Sequence, residues 1–256
     1  MQLSDEPQDA RPPAALLPAA SRLFGPRLEL AIVYAELLAT DAVVRGLIGP
    51  REASRIWDRH LLNCAVVGEL VPENARLVDV GSGAGLPGLV LALARPDLSV
   101  VLIESLARRC LFLDETVNRL ALDNVTVIRA RAEEVPPRQT IEPADVVTAR
   151  AVAPLDRLAG WCLPLTRVGG RLLAIKGESA GEEVQEHEAA VAVLGGGTPV
   201  VRTCGAGVID PPTTVVEIER VRAVESGTRL RQASGGRRSV ATGQPISRRP
   251  SRGKGR

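Results

Sequence analysis

The chain of 256 residues is short of several residue types that carry chemistry in other proteins. Aromatics make up 2%, as two Trp, one Tyr and two Phe. The core must therefore be built from Leu, Val, Ala and Ile, and ligand binding by rows of stacked rings is excluded as a main mode. The four cysteines, Cys64, Cys110, Cys162 and Cys204, lie far apart and form no C-x-x-C pair. That spacing fits neither a zinc site nor a disulfide framework, and small buried hydrophobes remain as the reading. No apolar run reaches the roughly 20 residues of a membrane span. Residues 1–13 are acidic and proline-rich, unlike a secretion signal, so a cytoplasmic protein without membrane attachment is expected.

Lysine is nearly missing as well. Only Lys176 and Lys254 occur, against 32 basic residues in all, and Lys254 lies near the C-terminus. A lone lysine in an arginine-rich body marks Lys176 as a position wanting a compact ammonium rather than a planar fork. The net charge of +2 is unevenly divided. Residues 221–256 hold ten basic residues and one acid, Glu225, a net of +9 that leaves −7 for the remaining 220. This tail has no apolar periodicity and is rich in Gly and Ser, so disorder is expected over 222–256 and over 1–12. The tail reads either as a solvated extension or as an arm for RNA phosphates.

Hydrophobic content of 45% and charge of 24% are those of an ordinary globular chain. Residues 13–74 read as a helical extension, with helical spacing over Pro13 to Phe24, Arg27 to Ala39 and Glu52 to Leu70. From 75 to 221, strand and helix patterns alternate. Strands are expected at Leu77 to Val80, Leu98 to Ile103, Asn124 to Ile128, Asp145 to Thr148, Arg171 to Ile175, Pro199 to Thr203 and Thr214 to Arg220. Such alternation implies a parallel sheet with helices on both faces. The last two strands are joined by CGAGVIDPPT, too short for a crossover helix, and should form an antiparallel edge hairpin.

Residues 79–88, DVGSGAGLPG, form a glycine loop between the first strand and helix. The loop satisfies both G-x-G-x-x-G, the dinucleotide pattern, and D-x-G-x-G-x-G, the S-adenosylmethionine pattern. Three features separate the two. Asp79 precedes the glycines, where an acid can steady the loop and face a cationic amino-acid group; a pyrophosphate has no use for it. Glu104 ends the second strand, where a carboxylate can accept ribose hydroxyls from either cofactor. The edge hairpin belongs to the methyltransferase arrangement. Each acid also has a plainer reading, Asp79 as the cap of the next helix and Glu104 as the acid that starts Leu106 to Leu120. The expected architecture is α/β: a class I S-adenosylmethionine-dependent methyltransferase, Rossmann-like, with a seven-stranded, mostly parallel sheet.

The segments WDRHLLNCA (57–65), DVGSGAGLPG (79–88), ESLARRCLFL (104–113), RAEE (131–134), ARAVAPL (149–155) and LAIKGE (173–178) follow one another as in the RsmG family, which this chain resembles over about residues 20–218. Members of that family, also called glucose-inhibited division protein B, are bacterial guanine-N7 methyltransferases of small-subunit (16S) ribosomal RNA. The resemblance implies S-adenosylmethionine as methyl donor. It implies a pocket using Gly81 and Leu86 around the methionine part, Glu104 at the ribose, Ala132 and Glu133 beside the adenine, and Arg150; the loop motif itself adds Asp79 and Gly83 as cofactor-binding candidates. It also implies small-subunit ribosomal RNA, free or in an assembling small subunit, as partner, and a monomer is expected. Candidate RNA contacts are Arg51, Arg55 and Arg59, spaced as one helical stripe, with His60, Arg131 and Lys176. The plainer reading of the stripe is a solvated face paired with Glu52, Asp58 and Glu69. That of His60 is a packed or hydrogen-bonded histidine, and that of Arg150 is a residue that only organises the pocket through Asp145 or Glu133. Many members carry Asn-Leu-Thr before the Arg-His helix, where this chain has Val44-Arg45-Gly46-Leu47-Ile48. No catalytic base and no metal are expected.

Overall fold

The computed structural model describes residues 10–135, 141–150 and 153–224. The proposed basic tail beyond 224 and most of the expected disordered N-terminus lie outside these residues. The helical block comprises α1 (Leu17–Phe24), α2 (Leu28–Ala39) and α3 (Asp41–Val44), then a continuous helical run that changes pitch three times. It begins as a 3₁₀ turn over Pro50–Arg55, widens to a π-helix over Ile56–Leu62, becomes α4 (Asn63–Ala65) and ends as 3₁₀ over Val66–Leu70. The periodicity over Glu52 to Leu70 thus located a helix but not its pitch. Residues 51, 55 and 59 share a stripe only at 3.6 residues per turn, so the expected arginine row is broken up.

The strands are β1 (Arg76–Val80), β2 (Ser99–Glu104), β3 (Val125–Arg129), β4 (Ala144–Arg150), β5 (Thr166–Lys176), β6 (Val200–Cys204) and β7 (Thr213–Glu219). Between them lie α5 (Gly88–Ala94), α6 (Ala107–Arg119), α7 (Leu155–Cys162) and α8 (Ala180–Val193). The sheet order is β3-β2-β1-β4-β5-β7-β6; the first five strands run parallel, and β7 pairs antiparallel with both β5 and β6. Among the described residues no helix is long and apolar enough to cross a membrane.

Near-continuous runs of Val, Leu and Ile in the central strands reflect burial on both faces. Alternation divides them between two cores. Leu77, Leu102, Val146 and Leu173 join one core with Phe24, Tyr34, Leu38, Trp57 and Leu61 of the helical block. Val78, Ile103, Val147 and Leu172 join the other, with Leu158 of α7 and Val191 of α8. The helical block is therefore one wall of the main core. Trp57 pins it, meeting Phe24 edge-on with centroids 6.1 Å apart and donating from Nε1 to the Ala10 carbonyl at 2.8 Å.

The chain order reverses between β1 and β4, and the carboxyl ends of these strands are where ligands bind in such sheets. Three polar residues gather there. Asp79 follows Leu77 by two, Glu104 follows Leu102 by two, and Arg150 follows Val146 by four, so all three project toward the helical block. Lys176 follows Leu172 by four and projects to the opposite face.

Candidate functional site

Two connected clefts open at these strand ends. One, of about 490 Å³, is lined by Gly81, Ser82, Gly83, Ala84 and Leu86 of the loop, by Glu104, Ser105, Arg109 and Arg150, and by Leu47, Ile48, Gly49, Glu52 and His60 of the helical block. The other, of about 330 Å³, shares Gly81, Glu104 and Ser105 with it and runs on to Arg131, Ala132, Glu133, Arg157 and Trp161. A larger hollow of about 600 Å³, under Ala10 to Leu16 and residues 53–58, touches no strand end. Position at the switch point, not volume, identifies the site.

Backbone amides shape the loop. Gly81 donates to the Ile103 carbonyl at 2.8 Å, and Gly85 and Leu86 both donate to the Ser82 carbonyl, at 2.7 and 3.0 Å. Gly81, Gly83 and Gly85 have φ of 71°, 59° and 98°, the left-handed region that favours glycine. Asp79 lies beneath the loop with 0% exposure. Its Oδ2 accepts the Gly88 N–H at 3.2 Å, at the first residue of α5, and its Oδ1 accepts the Thr148 hydroxyl at 2.8 Å. Burial raises its pKa to about 6 against these hydrogen bonds. Asp79 thus steadies the loop and caps the next helix; facing a ligand's cationic end is not open to it, because none of its surface reaches the cleft.

Glu104 is 3% exposed and sits where the two clefts meet. One oxygen accepts the N–H groups of Ser105 and Leu106, at 2.8 and 2.9 Å, just ahead of α6. The other accepts the Gly83 N–H at 3.0 Å and faces Arg109 at 3.4 Å. The plainer reading of Glu104 therefore holds locally, and its carboxylate is fixed at the cleft floor by the same bonds.

Arg150 is not organised by Asp145 or Glu133. Its Nη1 donates to Cys64 Sγ at 3.2 Å, and its Nη2 meets His60 Nδ1 at 2.6 Å. Asp145 instead receives Arg167 Nε and the Arg76 amide. His60 is 7% exposed, and its Nε2 lies 3.1 Å from Glu52 Oε2. Burial, then the charge of Arg150, lowers its pKa to about 4, against the pull of Glu52. Ala132 and Glu133 border the second cleft, as does Arg131, which is exposed and 4.0 Å from Glu134.

The other basic candidates do not converge on the cleft. Arg55 pairs with Asp58 at 2.8 Å and Arg59 with Glu52 at 2.9 Å, both on the surface. Arg51 is exposed, while Glu69 turns away to accept the Gly205 amide. Lys176 Nζ is held by Glu183 of α8 at 2.7 Å and by the Ala153 carbonyl at 3.0 Å. A shielded helix-to-strand tie, rather than an open cation, accounts for the lone lysine.

Sequence reasoning missed Tyr34. Its fully buried hydroxyl donates to the Ala84 carbonyl at 2.6 Å, tying α2 to the glycine loop, and burial first of all raises its pKa so that it stays a donor. The signal was present: a lone tyrosine in an apolar helix needs a partner for its hydroxyl. Thr148, a polar residue inside the apolar strand β4 and in register with Asp79, was missed too.

The residues present fit S-adenosylmethionine. A Cβ on Gly83 would meet only the Gly81 carbonyl, at 3.9 Å, leaving it in the open cleft where a ligand would lie. Two clefts joined at an acceptor carboxylate suit a long ligand with a ribose at its middle. Arg109, beside that carboxylate, keeps a buried Nε without a hydrogen-bond partner.

Among solved structures, NSun6 from Pyrococcus horikoshii, determined with SFG, matches 65% of this chain and 53% of its own with a TM-score of 0.50 and 15% identity. That likeness concerns the fold alone. A family model described as GidB, rRNA small subunit methyltransferase G, matches residues 27–210. Ribosomal RNA small subunit methyltransferase G of Salinispora arenicola is 62% identical over 238 residues, covering 91% of this chain and 98% of that protein. Its namesake in Mycolicibacterium gilvum is 58% identical over 198 residues, covering 77% and 87%. With that model covering most of the helical block and six of the seven strands, and identity this high over nearly the whole of these relatives, the chain belongs to the GidB family, the S-adenosylmethionine-dependent methyltransferases named rRNA small subunit methyltransferase G.

Proposed function

We propose that this protein transfers a methyl group from S-adenosylmethionine to N7 of one guanine in small-subunit ribosomal RNA, by in-line displacement and without a general base. The observation that carries the reading is the state of the acids and the histidine that line the first cleft. His60 has both ring nitrogens engaged, Glu52 is held by Arg59 and His60, and Glu104 is held by three amides. None of them is a free base. A guanine N7 carries a lone pair and no proton, so such a site suits it.

When bound, S-adenosylmethionine supplies an electrophilic methyl group on a sulfonium. The chain's own residues orient and enclose. Gly81, Gly83 and Leu86 would hold the methionine part, Glu104 would accept from the ribose, Ala132 and Glu133 would border the adenine, and Arg150 would take the amino-acid end. Leu47, Ile48 and Gly49 form an apolar wall that excludes water and aligns the guanine, so the segment that departs from the family's Asn-Leu-Thr still faces the reaction. Exposed Arg51, Arg55 and Arg59 on the helical block, with Arg131 beside the second cleft, supply charge for RNA phosphates. Duplex guanines keep N7 in a deep groove, which makes a splayed loop base the target. The acidic body and scarce aromatics favour an assembled ribosomal particle over naked RNA.

The test is transfer of labelled methyl to free small-subunit RNA, to small subunits lacking the modification, and to a protein mixture. Label released as 7-methylguanosine from one site, strongest with the particle, is expected. Label in protein, or at any other guanine atom, would overturn the reading.

A further inference from the structure

We propose that His60 and Glu52 are positioning residues: they hold the Arg150 guanidinium at the cleft wall without neutralising it, so that Arg150 receives the carboxylate of S-adenosylmethionine. This rests on the assignment of Arg150 to the cofactor site made above.

The geometry sets Arg150 apart from Arg109, the other arginine of the first cleft. Arg109 faces the Glu104 carboxylate at 3.4 Å, whereas no carboxylate pairs with Arg150 among the described residues. Its two contacts are a thiol and an imidazole nitrogen, Cys64 Sγ at 3.2 Å and His60 Nδ1 at 2.6 Å. Both anchor a cation and leave its charge intact. A half-buried guanidinium is costly without a counter-ion, and one retained at a strand end beside a glycine loop marks an anion's place. A carboxylate against it forms a charge-assisted hydrogen bond.

The Arg150 bond requires a lone pair on His60 Nδ1, so the ring must be neutral with its proton on Nε2. Glu52 sets that tautomer by accepting from Nε2 at 3.1 Å, and its other oxygen is held by Arg59 at 2.9 Å. Burial and the neighbouring guanidinium keep the ring neutral, lowering its pKa to about 4. A line of bonds thus runs from the surface, through Arg59, Glu52 and His60, to Arg150 in the cleft. The helical block thereby reaches the cofactor through a strand residue.

The test is calorimetric binding of S-adenosylmethionine and of its decarboxylated analogue, which lacks only the carboxylate, to the full chain. The unmodified protein should prefer S-adenosylmethionine roughly tenfold or more. Arg150→Met should erase the preference, and His60→Leu should remove most of it. His60→Asn, whose amide oxygen stands where Nδ1 was, should restore it, and Glu52→Ala should leave an intermediate value. Should His60→Leu fail to fold, His60 ¹⁵N shifts in the unmodified protein decide the matter, and a proton on Nδ1 overturns the proposal. Equal binding of the two ligands by the unmodified protein overturns the carboxylate assignment. A preference unchanged in folded His60→Leu overturns the positioning role. Loss of RNA affinity with the preference intact in Arg150→Met would reassign the anion to an RNA phosphate and overturn the proposal. No binding of S-adenosylmethionine at all would defeat the cofactor assignment beneath it, an outcome distinct from the others.

Discussion

The floor of the cleft and the exposed rim of the helical block are built differently. On the floor, Asp79, Thr148, Glu104 and Tyr34 are almost completely buried, and their polar atoms are engaged with the loop or with one another. On the rim, Arg55 and Arg59 form ion pairs with their side chains more than half exposed. Removing one buried partner leaves another unsatisfied, at a cost of about 1–3 kcal/mol. A surface pair contributes about 0–1 kcal/mol and yields to salt. The floor is thus fixed for one ligand, while the rim can exchange its internal partners for phosphates.

Gly83→Asp gives the largest expected effect and separates the cleft surface from its support. The new side chain would occupy the open cleft, so binding of S-adenosylmethionine should fall beyond calorimetric detection while the fold survives; unchanged affinity would break the assignment of the loop. Gly88→Ala acts beneath the floor. Its Cβ would stand 2.3 Å from Leu102 Cδ2 and 2.8 Å from Asp79 Cβ, and overpacking of this kind costs about 3 kcal/mol in denaturant unfolding. A loss below about 0.5 kcal/mol would mean the floor is softer than its contacts imply.

Stability against pH sharpens the comparison where the two regions meet. His60 has a folded pKa of about 4 against 6.5 ordinarily, so between those values the unfolded chain binds the extra proton and stability falls as pH falls. Asp79 has a folded pKa of about 6 against 3.8, so over that window the folded chain binds the proton and stability rises as pH falls. The two slopes oppose one another. His60→Asn should therefore gain stability, relative to its own value at neutral pH, on acidification from pH 6 to pH 4.5, more than the unmodified protein does. Thermal melts across that range check the sign.

Tyr34→Phe removes one buried hydrogen bond and should cost about 1 kcal/mol, with weaker cofactor binding because the Ala84 carbonyl loses its donor. Arg59→Ala is the smallest change: stability should move by less than about 0.5 kcal/mol, while binding to the ribosomal particle weakens and loses part of its salt dependence. A large stability loss there would show that the rim, too, is structural.

Much of this could be read in the chain. Strand and helix alternation, the edge hairpin and the glycine loop follow from local periodicity and from residues only glycine can replace. Lys176 shows the limit. Its rarity pointed to a site, yet alternation from Leu172 already put it on the face away from Arg150, and that count was the better guide. The arginine stripe failed because the spacing assumed α pitch, whereas residues 50–62 run from 3₁₀ to π pitch. Asp79 had two readings, a cofactor contact and a helix cap, and only its burial beneath the loop showed that it caps the helix.

By itself, then, the sequence determined the order of elements, the loop and the family, because periodicity, glycine and motif order are local properties of the chain. Only the tertiary structure decided which polar groups meet. Arg150 finds His60 and Cys64 across 90 and 86 residues of chain, and Tyr34 finds Ala84 across 50. Such pairings are fixed by the packing of the helical block on the sheet, and no local pattern carries that distance.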